Sequence, residues 1–162
     1  MNENYDVLHV MAKRALSGSD SHVGAANAVD GLEWRVAAAR PEGAPHSILQ
    51  LVNHMTYWQE WALKWLDGKP ARAPKHAAGS WPGKASPASR KEWTEAVRRY
   101  RRALDALGRR SQRKDLLSKR GKMTRLEMLH IIGAHTSYHV GEVVLMRQMQ
   151  GAWPPPSGGV TW

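Results

Sequence analysis

The stretch Thr124-Arg125-Leu126-Glu127-Met128-Leu129-His130-Ile131-Ile132-Gly133-Ala134-His135-Thr136-Ser137-Tyr138-His139-Val140-Gly141-Glu142-Val143-Val144-Leu145-Met146-Arg147-Gln148-Met149 decides the fold. Its opening, Thr124-Arg125-Leu126-Glu127, has the capping-box pattern, in which the Thr and Glu side chains satisfy N–H groups that the first turn of a helix leaves open. Apolar residues then recur at helical spacing, without the strict alternation of a half-buried strand, until about Met149, just before Gly151. The stretch reads as one long helix.

Three further stretches carry the same period. The first covers about residues 5–16 and stops at Ser17-Gly18, with Val7, Leu8, Met11, Ala12 and Ala15 on its apolar side. The second covers 46 or 47 to 66, between Pro45 and Asp67-Gly68, with a stripe of Ile48, Leu51, Val52, Met55, Trp58 and Ala62. The third opens with Ser89-Arg90-Lys91-Glu92, again a capping-box pattern, and continues to about Leu107 before Gly108. Its stripe is Trp93, Ala96, Val97, Tyr100, Leu104 and Leu107, and arginines take the remaining face. Residues 19–45 read as mixed, with short helices over 23–29 and 32–39. Residues 68–88, holding Pro70, Pro74, Pro82 and Pro87, read as a long surface loop, and Trp153-Pro154-Pro155-Pro156-Ser157-Gly158-Gly159 as an extended strap. The expectation is an all-α protein: a four-helix bundle with a long loop between helices 2 and 3 and an extended Pro-rich C-terminal tail, one domain over 1–162.

Composition narrows the chemistry. With no cysteine, disulfide scaffolds, thiolate zinc sites and cysteine nucleophiles are excluded. The net charge of +10 is local, because residues 90–125 hold 14 basic and 4 acidic residues and the remainder of the chain holds 10 of each. Such a segment suits a nucleic-acid or anionic-membrane surface, although a solvated helix face is the commoner explanation. No apolar run approaches the ~20 residues that span a bilayer. The polar opening Met1-Asn2-Glu3-Asn4-Tyr5-Asp6 lacks the basic-then-apolar order of a signal peptide. A soluble cytoplasmic protein with no membrane span is expected.

Eight histidines are present, and two of them form a pair. At ~100° per residue, His135 and His139 lie about 40° apart on one helix face, the spacing by which a helix offers two imidazoles to one metal ion. A third ligand must come from another helix, and His54, mid-helix beside the apolar stripe of the second segment, is the candidate. Three neutral imidazoles with open positions suit Zn²⁺, Ni²⁺ or a neighbouring divalent ion. His130 points about 140° away from His135, and His46 is about 80° round from His54 and roughly 12 Å along the axis, which makes it peripheral. His9, His22 and His76 read as structural or exposed. Glu142 returns to within about 20° of His135, and so reads as a fourth ligand, a partner to a ligand, a general base, or a salt-bridged surface residue. Thr136 stands where a zincin needs Glu, and no phosphate loop, nucleophile elbow or dinucleotide fingerprint is present.

The segment His46-Ser47-Ile48-Leu49-Gln50-Leu51-Val52-Asn53-His54-Met55-Thr56-Tyr57-Trp58 resembles the second-helix signature of the DinB-like superfamily. His135-Thr136-Ser137-Tyr138-His139-Val140-Gly141-Glu142 is similar to its fourth-helix signature, commonly His-x-x-Tyr-His-x-Gly-Gln, and Gly151-Ala152-Trp153-Pro154-Pro155-Pro156-Ser157-Gly158 resembles a tail seen in one branch. The resemblance implies a four-helix bundle, frequently a homodimer, whose divalent metal is held by three histidines, by position His54, His135 and His139. It also implies kinship with S-transferases that use bacillithiol or mycothiol and with a thiol-dependent maleylpyruvate isomerase, in which the metal activates a thiol. Glu142 departs from the usual glutamine and adds negative charge near the metal.

The leading expectation is therefore a metal-dependent enzyme of the thiol S-transferase type, with a small-molecule substrate and a low-molecular-weight thiol as co-substrate. Glu142 and Tyr138 are the candidate catalytic residues beside the metal. Two other readings stand next to it. One is a nucleic-acid or anionic-surface module using residues 90–125, although Trp93 and Tyr100 fall on the core stripe rather than free for base stacking. The other is a bundle that a metal stabilises without catalysis.

Overall fold

The computed structural model describes residues 3–87 and 89–159, with side chains from residue 6 onward. The expectations for Met1-Asn2, for Ala88 at the end of the long loop and for the last three residues lie outside the described residues. Four long helices carry the architecture: α1 (Glu3–Ser17), α3 (Ile48–Leu66), α4 (Arg90–Arg110) and α5 (Arg125–Met149), with a short α2 (Trp34–Ala38) before α3. The central helix α3 packs on both α4 and α5, and α1 lies along α5, so the all-α bundle is present.

Capping follows the sequence. Ser47 Oγ accepts the Gln50 N–H while Gln50 Oε1 accepts the Ser47 N–H at 3.0 Å, which starts α3. Thr124 and Glu127 do the same for α5, at 3.2 Å and 2.6 Å. Ser89 Oγ accepts the Glu92 N–H at 3.2 Å to start α4, and the Glu92 carboxylate binds Lys84 at 2.8 Å. The expected end of α4 at Gly108 is two residues early: glycine fits helical backbone, and the last turn closes where Ser111 N–H bonds Leu107 O and Ser111 Oγ donates to Gly108 O.

Residues 19–45 are less helical than expected, with only a 3-10 turn at Asn27–Val29 and the five residues of α2. Gly31 separates them in a left-handed conformation (φ +61°), where a Cβ would lie 2.4 Å from Pro156. On α1, Ala12 and Leu16 are buried while Val7 and Met11 are 57% and 60% exposed, so its inward stripe is narrower than the sequence suggests. Its neighbour α5 comes so close at Gly133 that a Cβ there would lie 2.7 Å from the Ala15 carbonyl oxygen. A two-residue hairpin, Lys119–Arg120 against Met123–Thr124, joins α4 to α5 through Gly121. The tail over 151–159 contains no helix or strand; Ala152 and Trp153 pack on the core, with Trp153–Pro154 cis.

The core has two apolar parts. One gathers Leu51, Val52, Met55, Tyr100, Val140 and Val143 with residues 23–37. The other gathers Ala12, Leu16, Ala62, Leu66, Leu107, Leu129 and Ile132. Along α3 and α5 a buried polar belt separates them: His54, Thr56 and Gln59 on one helix, Thr136 and His139 on the other. Gln59 donates to Thr136 Oγ1 at 3.3 Å across the gap. Burying this many polar groups is costly unless each finds a partner.

Part of the basic segment is paired within the chain. Arg90 pairs with Glu33, Arg98 and Arg102 with Glu95, Arg99 with Glu60, Arg101 with Asp30 and Arg110 with Asp67. Arg110 makes a two-armed contact at 3.0 and 2.7 Å, and that hydrogen bonding holds the Asp67 carboxyl below its ordinary pKa. Among the described residues, no helix is long and apolar enough to cross a membrane.

Candidate metal centre

Two helices and one loop build the site within the polar belt. His54 comes from the middle of α3, and His135 and His139 come from successive turns of α5. Their ring nitrogens converge: His135 Nε2 lies 3.2 Å from His54 Nε2 and 3.2 Å from His139 Nε2. One ligand atom from each of the three falls within 4.8 Å of the others. For Zn–N bonds of about 2.0–2.1 Å, tetrahedral geometry puts neighbouring nitrogens roughly 3.3 Å apart. The two short separations match that spacing, and the three histidines named from the sequence are the ones that meet.

The far side of two rings is fixed by acceptors. His54 Nδ1 lies 3.2 Å from Ser80 O, and a carbonyl can only accept, so Nδ1 carries the proton and Nε2 presents its lone pair inward. His139 Nδ1 lies 2.6 Å from Glu142 Oε2, which sets the same tautomer. Such backbone and carboxylate partners are the usual way a protein orients imidazole ligands. His135 Nδ1 is buried without a hydrogen-bond partner. Its proton belongs on that nitrogen when Nε2 is engaged with an ion, so the whole set fits a divalent cation. Burial, chiefly, pushes the pKa values of His54 and His135 down to about 4, reinforced by the neighbouring imidazoles and for His54 opposed by the Ser80 bond. Both rings are therefore neutral at pH 7, as ligation requires.

The long loop supplies a part that the sequence did not signal. A 3-10 turn at Ala77–Ser80 brings Trp81 flat between His46 and His54, with ring centroids at 3.6 and 3.8 Å and planes within 10° and 7° of parallel. The signal available was a lone Trp in a Pro/Gly-rich loop, with no periodicity to assign it. His46 thus touches the site through Trp81 and stays outside the three-nitrogen cluster, peripheral as expected, although the helical angle behind that expectation does not apply, because α3 begins only at Ile48. His130 is exposed on α5; His22 bonds Val23 O and Ser137 Oγ; His9 bonds Arg113 O. Of the two candidate catalytic residues, Glu142 is held against His139, and Tyr138 is 67% exposed with its ring edge-on to His139 at 5.0 Å. Beside Glu142 opens a cavity of about 370 Å³ lined by His46, Leu51, Leu145, Met146 and the 42–45 turn.

Fold and site define an all-helical bundle with a buried cluster of three histidines suited to a divalent cation. The family model of the DinB superfamily matches residues 25–143, a span that takes in all three histidines. The chain belongs to the DinB superfamily. No curated protein and no solved structure matches it.

Proposed function

We propose that this protein is a divalent-metal-dependent enzyme of the thiol S-transferase type, with zinc or nickel as the ion, held by His54, His135 and His139. The observation that carries the reading is the convergence of three Nε2 atoms, two of them oriented from behind by Ser80 O and Glu142. A divalent ion in that position supplies Lewis acidity, which lowers the pKa of a thiol presented to it. The chain's own groups then divide the work. Glu142 keeps His139 oriented through Oε2, and its other oxygen accepts the thiol proton. The cavity beside it, walled by Leu51, Leu145 and Met146, takes a small-molecule electrophile. A low-molecular-weight thiol is the co-substrate: its sulfur forms the new bond to carbon, the leaving group departs with the bonding pair, and the thiol proton passes to the Glu142 carboxylate. Tyr138 flanks the His139 ring. The working unit is a soluble cytoplasmic homodimer.

The test has two readouts. Purified protein is expected to hold about one divalent ion per chain by elemental analysis, and His135→Ala to lose it. Ion-dependent consumption of a thiol with a model electrophile is expected of the loaded protein. No ion after reconstitution, or undiminished binding by His135→Ala, overturns the site. Binding and ion-dependent melting without thiol consumption leaves the ion a structural part of the bundle. The nucleic-acid reading stays second, since Arg98, Arg99, Arg101 and Arg102 each meet a carboxylate of the same chain.

A further inference from the structure

One end of the bundle concentrates the excess charge of the chain. Helix α3 stops at Leu66 and α4 at Arg110, and the hairpin over 119–124 leads into α5 at the same end. Residues 64–69 and 109–125 meet there and hold 10 basic and 2 acidic residues, a net +8 out of the chain's +10. Two acids border them: Asp6, one turn before the His9 that bonds the Arg113 carbonyl, and Glu127, which is held by Thr124. With both counted, this end still carries +6.

The basic residues here divide into two groups. Four arginines have a reason inside the fold. Arg120 and Arg125 donate to the Trp65, Lys69 and Leu66 carbonyls, which the end of α3 leaves open. Arg110 and Arg113 clamp Asp67, and Arg113 also holds Asp115. The other six, Lys64, Lys69, Arg109, Lys114, Lys119 and Lys122, are exposed, and none of their side chains makes a hydrogen bond or ion pair among the described residues. Lys69 and Lys119 act on Asp67 and Glu127 only through their fields. Like charges gathered in this way repel one another, and nothing in the fold offsets six of them. An apolar residue stands among them. Leu116 is fully buried in the core, but Leu117 is 49% exposed, in the turn between Lys114 and Lys119 that Ser118 closes on the Asp115 carbonyl.

We infer that this end is a docking surface for an anionic lipid bilayer, with the six free cations on the headgroups and Leu117 entering the interface between them. Charge complementarity favours a negative partner, and two features favour lipid over nucleic acid. The free cations are five lysines and one arginine, point charges suited to a diffuse negative surface, whereas the arginines able to grip a phosphate with two arms are spent inside the fold. Base stacking also finds no platform, since Trp65 is half-buried with the Arg120 guanidinium 5.6 Å from its ring centroid. An exposed leucine ringed by lysines instead matches the pairing of apolar insertion with electrostatic attraction by which proteins rest on a membrane surface. The attachment leaves the histidine cluster free: His54 lies twelve residues before Leu66, roughly 18 Å along α3 from the docking end.

This surface stands apart from the metal, so its test does not depend on the proposed activity. The full-length protein is sedimented with phosphatidylcholine vesicles containing about a third phosphatidylserine, at about 50 mM salt. Pure phosphatidylcholine vesicles and a short DNA duplex are the comparisons. Binding to the anionic vesicles is expected, with little to pure phosphatidylcholine and a steep loss by about 300 mM salt. One lysine at such a surface is worth about fivefold in partitioning, so Lys119→Gln combined with Lys122→Gln should weaken binding about 25-fold. Leu117→Ser should weaken it about fivefold. Arg98→Gln combined with Arg102→Gln removes the same charge from the exposed side of α4, and this variant should bind as the unaltered protein does. Unchanged circular dichroism checks that each variant is folded. Absence of binding to the anionic vesicles overturns the docking surface. So does an equal loss in the α4 variant, which assigns the effect to net charge alone. Binding to the duplex that vesicles do not compete for, and that Leu117→Ser leaves intact, makes the partner a nucleic acid and overturns the lipid assignment.

Discussion

His139 Nδ1 donates to the Glu142 carboxylate at 2.6 Å, one turn further along α5, and so turns its Nε2 toward His135 and His54. The contact joins a candidate ligand to a carboxylate that also borders a cavity. Glu142→Gln keeps an acceptor and loses the charge, so divalent-ion affinity is expected to fall about tenfold; Glu142→Ala removes the acceptor and takes the loss toward 100-fold. Competition with a chromophoric chelator measures both. Equal affinities in all three proteins would mean that the carboxylate does not tune the site.

Trp81 gives a second prediction. It stacks on His46 and His54 at once, and the residue before it accepts the His54 Nδ1–H. Trp81→Ala removes two stacking contacts and loosens the loop over His54, which is expected to cost about 2 kcal/mol in urea unfolding. Ion affinity should fall with it, because His54 loses its fixed orientation. Trp81→Phe keeps a flat ring and should recover most of both effects. A Trp81→Ala protein with unchanged stability and affinity would make the stack incidental.

The helices and the three histidines were legible because both depend on a local period. Thr124 with Glu127 and Ser89 with Glu92 mark helix starts, and 135/139 spacing places two rings on one face whatever surrounds them. His54 was legible because a histidine beside an apolar stripe demands a partner. The Trp81 stack, Ser80 as acceptor and the ion pairs of Arg99 with Glu60 and Arg110 with Asp67 were not legible, since each joins residues about 26 to 43 positions apart with no pattern linking them. The exposed apolar side of α5, with Ile131, Tyr138 and Leu145, was hidden for a related reason: an apolar residue in a sequence does not say which of two faces needs it. Val7 and Met11, assigned inward and found exposed, are the same error on α1.

The apo protein should lose stability on mild acidification. His54 and His135 have folded pKa values near 4, below the ordinary value of 6.5 in the unfolded chain. Between those limits the unfolded state binds protons that the folded state refuses, so the stabilisation is complete above pH 6.5 and declines as pH falls toward 4. The loss is on the order of a few kcal/mol for the pair, measured as the shift in urea midpoint between pH 7 and about pH 5.5, above the range where most carboxylates titrate. His54→Gln combined with His135→Gln should flatten that slope. An unchanged slope in the double variant would place its origin elsewhere.

Gly133 and Gly108 make a matched pair for testing helix packing. Both lie inside long helices, and alanine is the better helix former by roughly 0.8–1 kcal/mol. At Gly108 a Cβ would meet nothing within 4 Å, so Gly108→Ala is expected to stabilise by most of that amount. At Gly133 the Cβ would lie 2.7 Å from Ala15 O and 2.9 Å from Ala15 C. Those atoms are backbone of α1 and cannot rotate aside, so α1 must move away from α5, opening the contact that buries Ala12 and Leu16. Overpacking of this kind costs about 1–3 kcal/mol, which outweighs the gain in propensity, and Gly133→Ala is expected to destabilise by about 1–2 kcal/mol net. Urea unfolding of the two variants at pH 7.5 should therefore shift in opposite directions. If Gly133→Ala also stabilises, α1 does not sit against α5 as closely as the bundle requires.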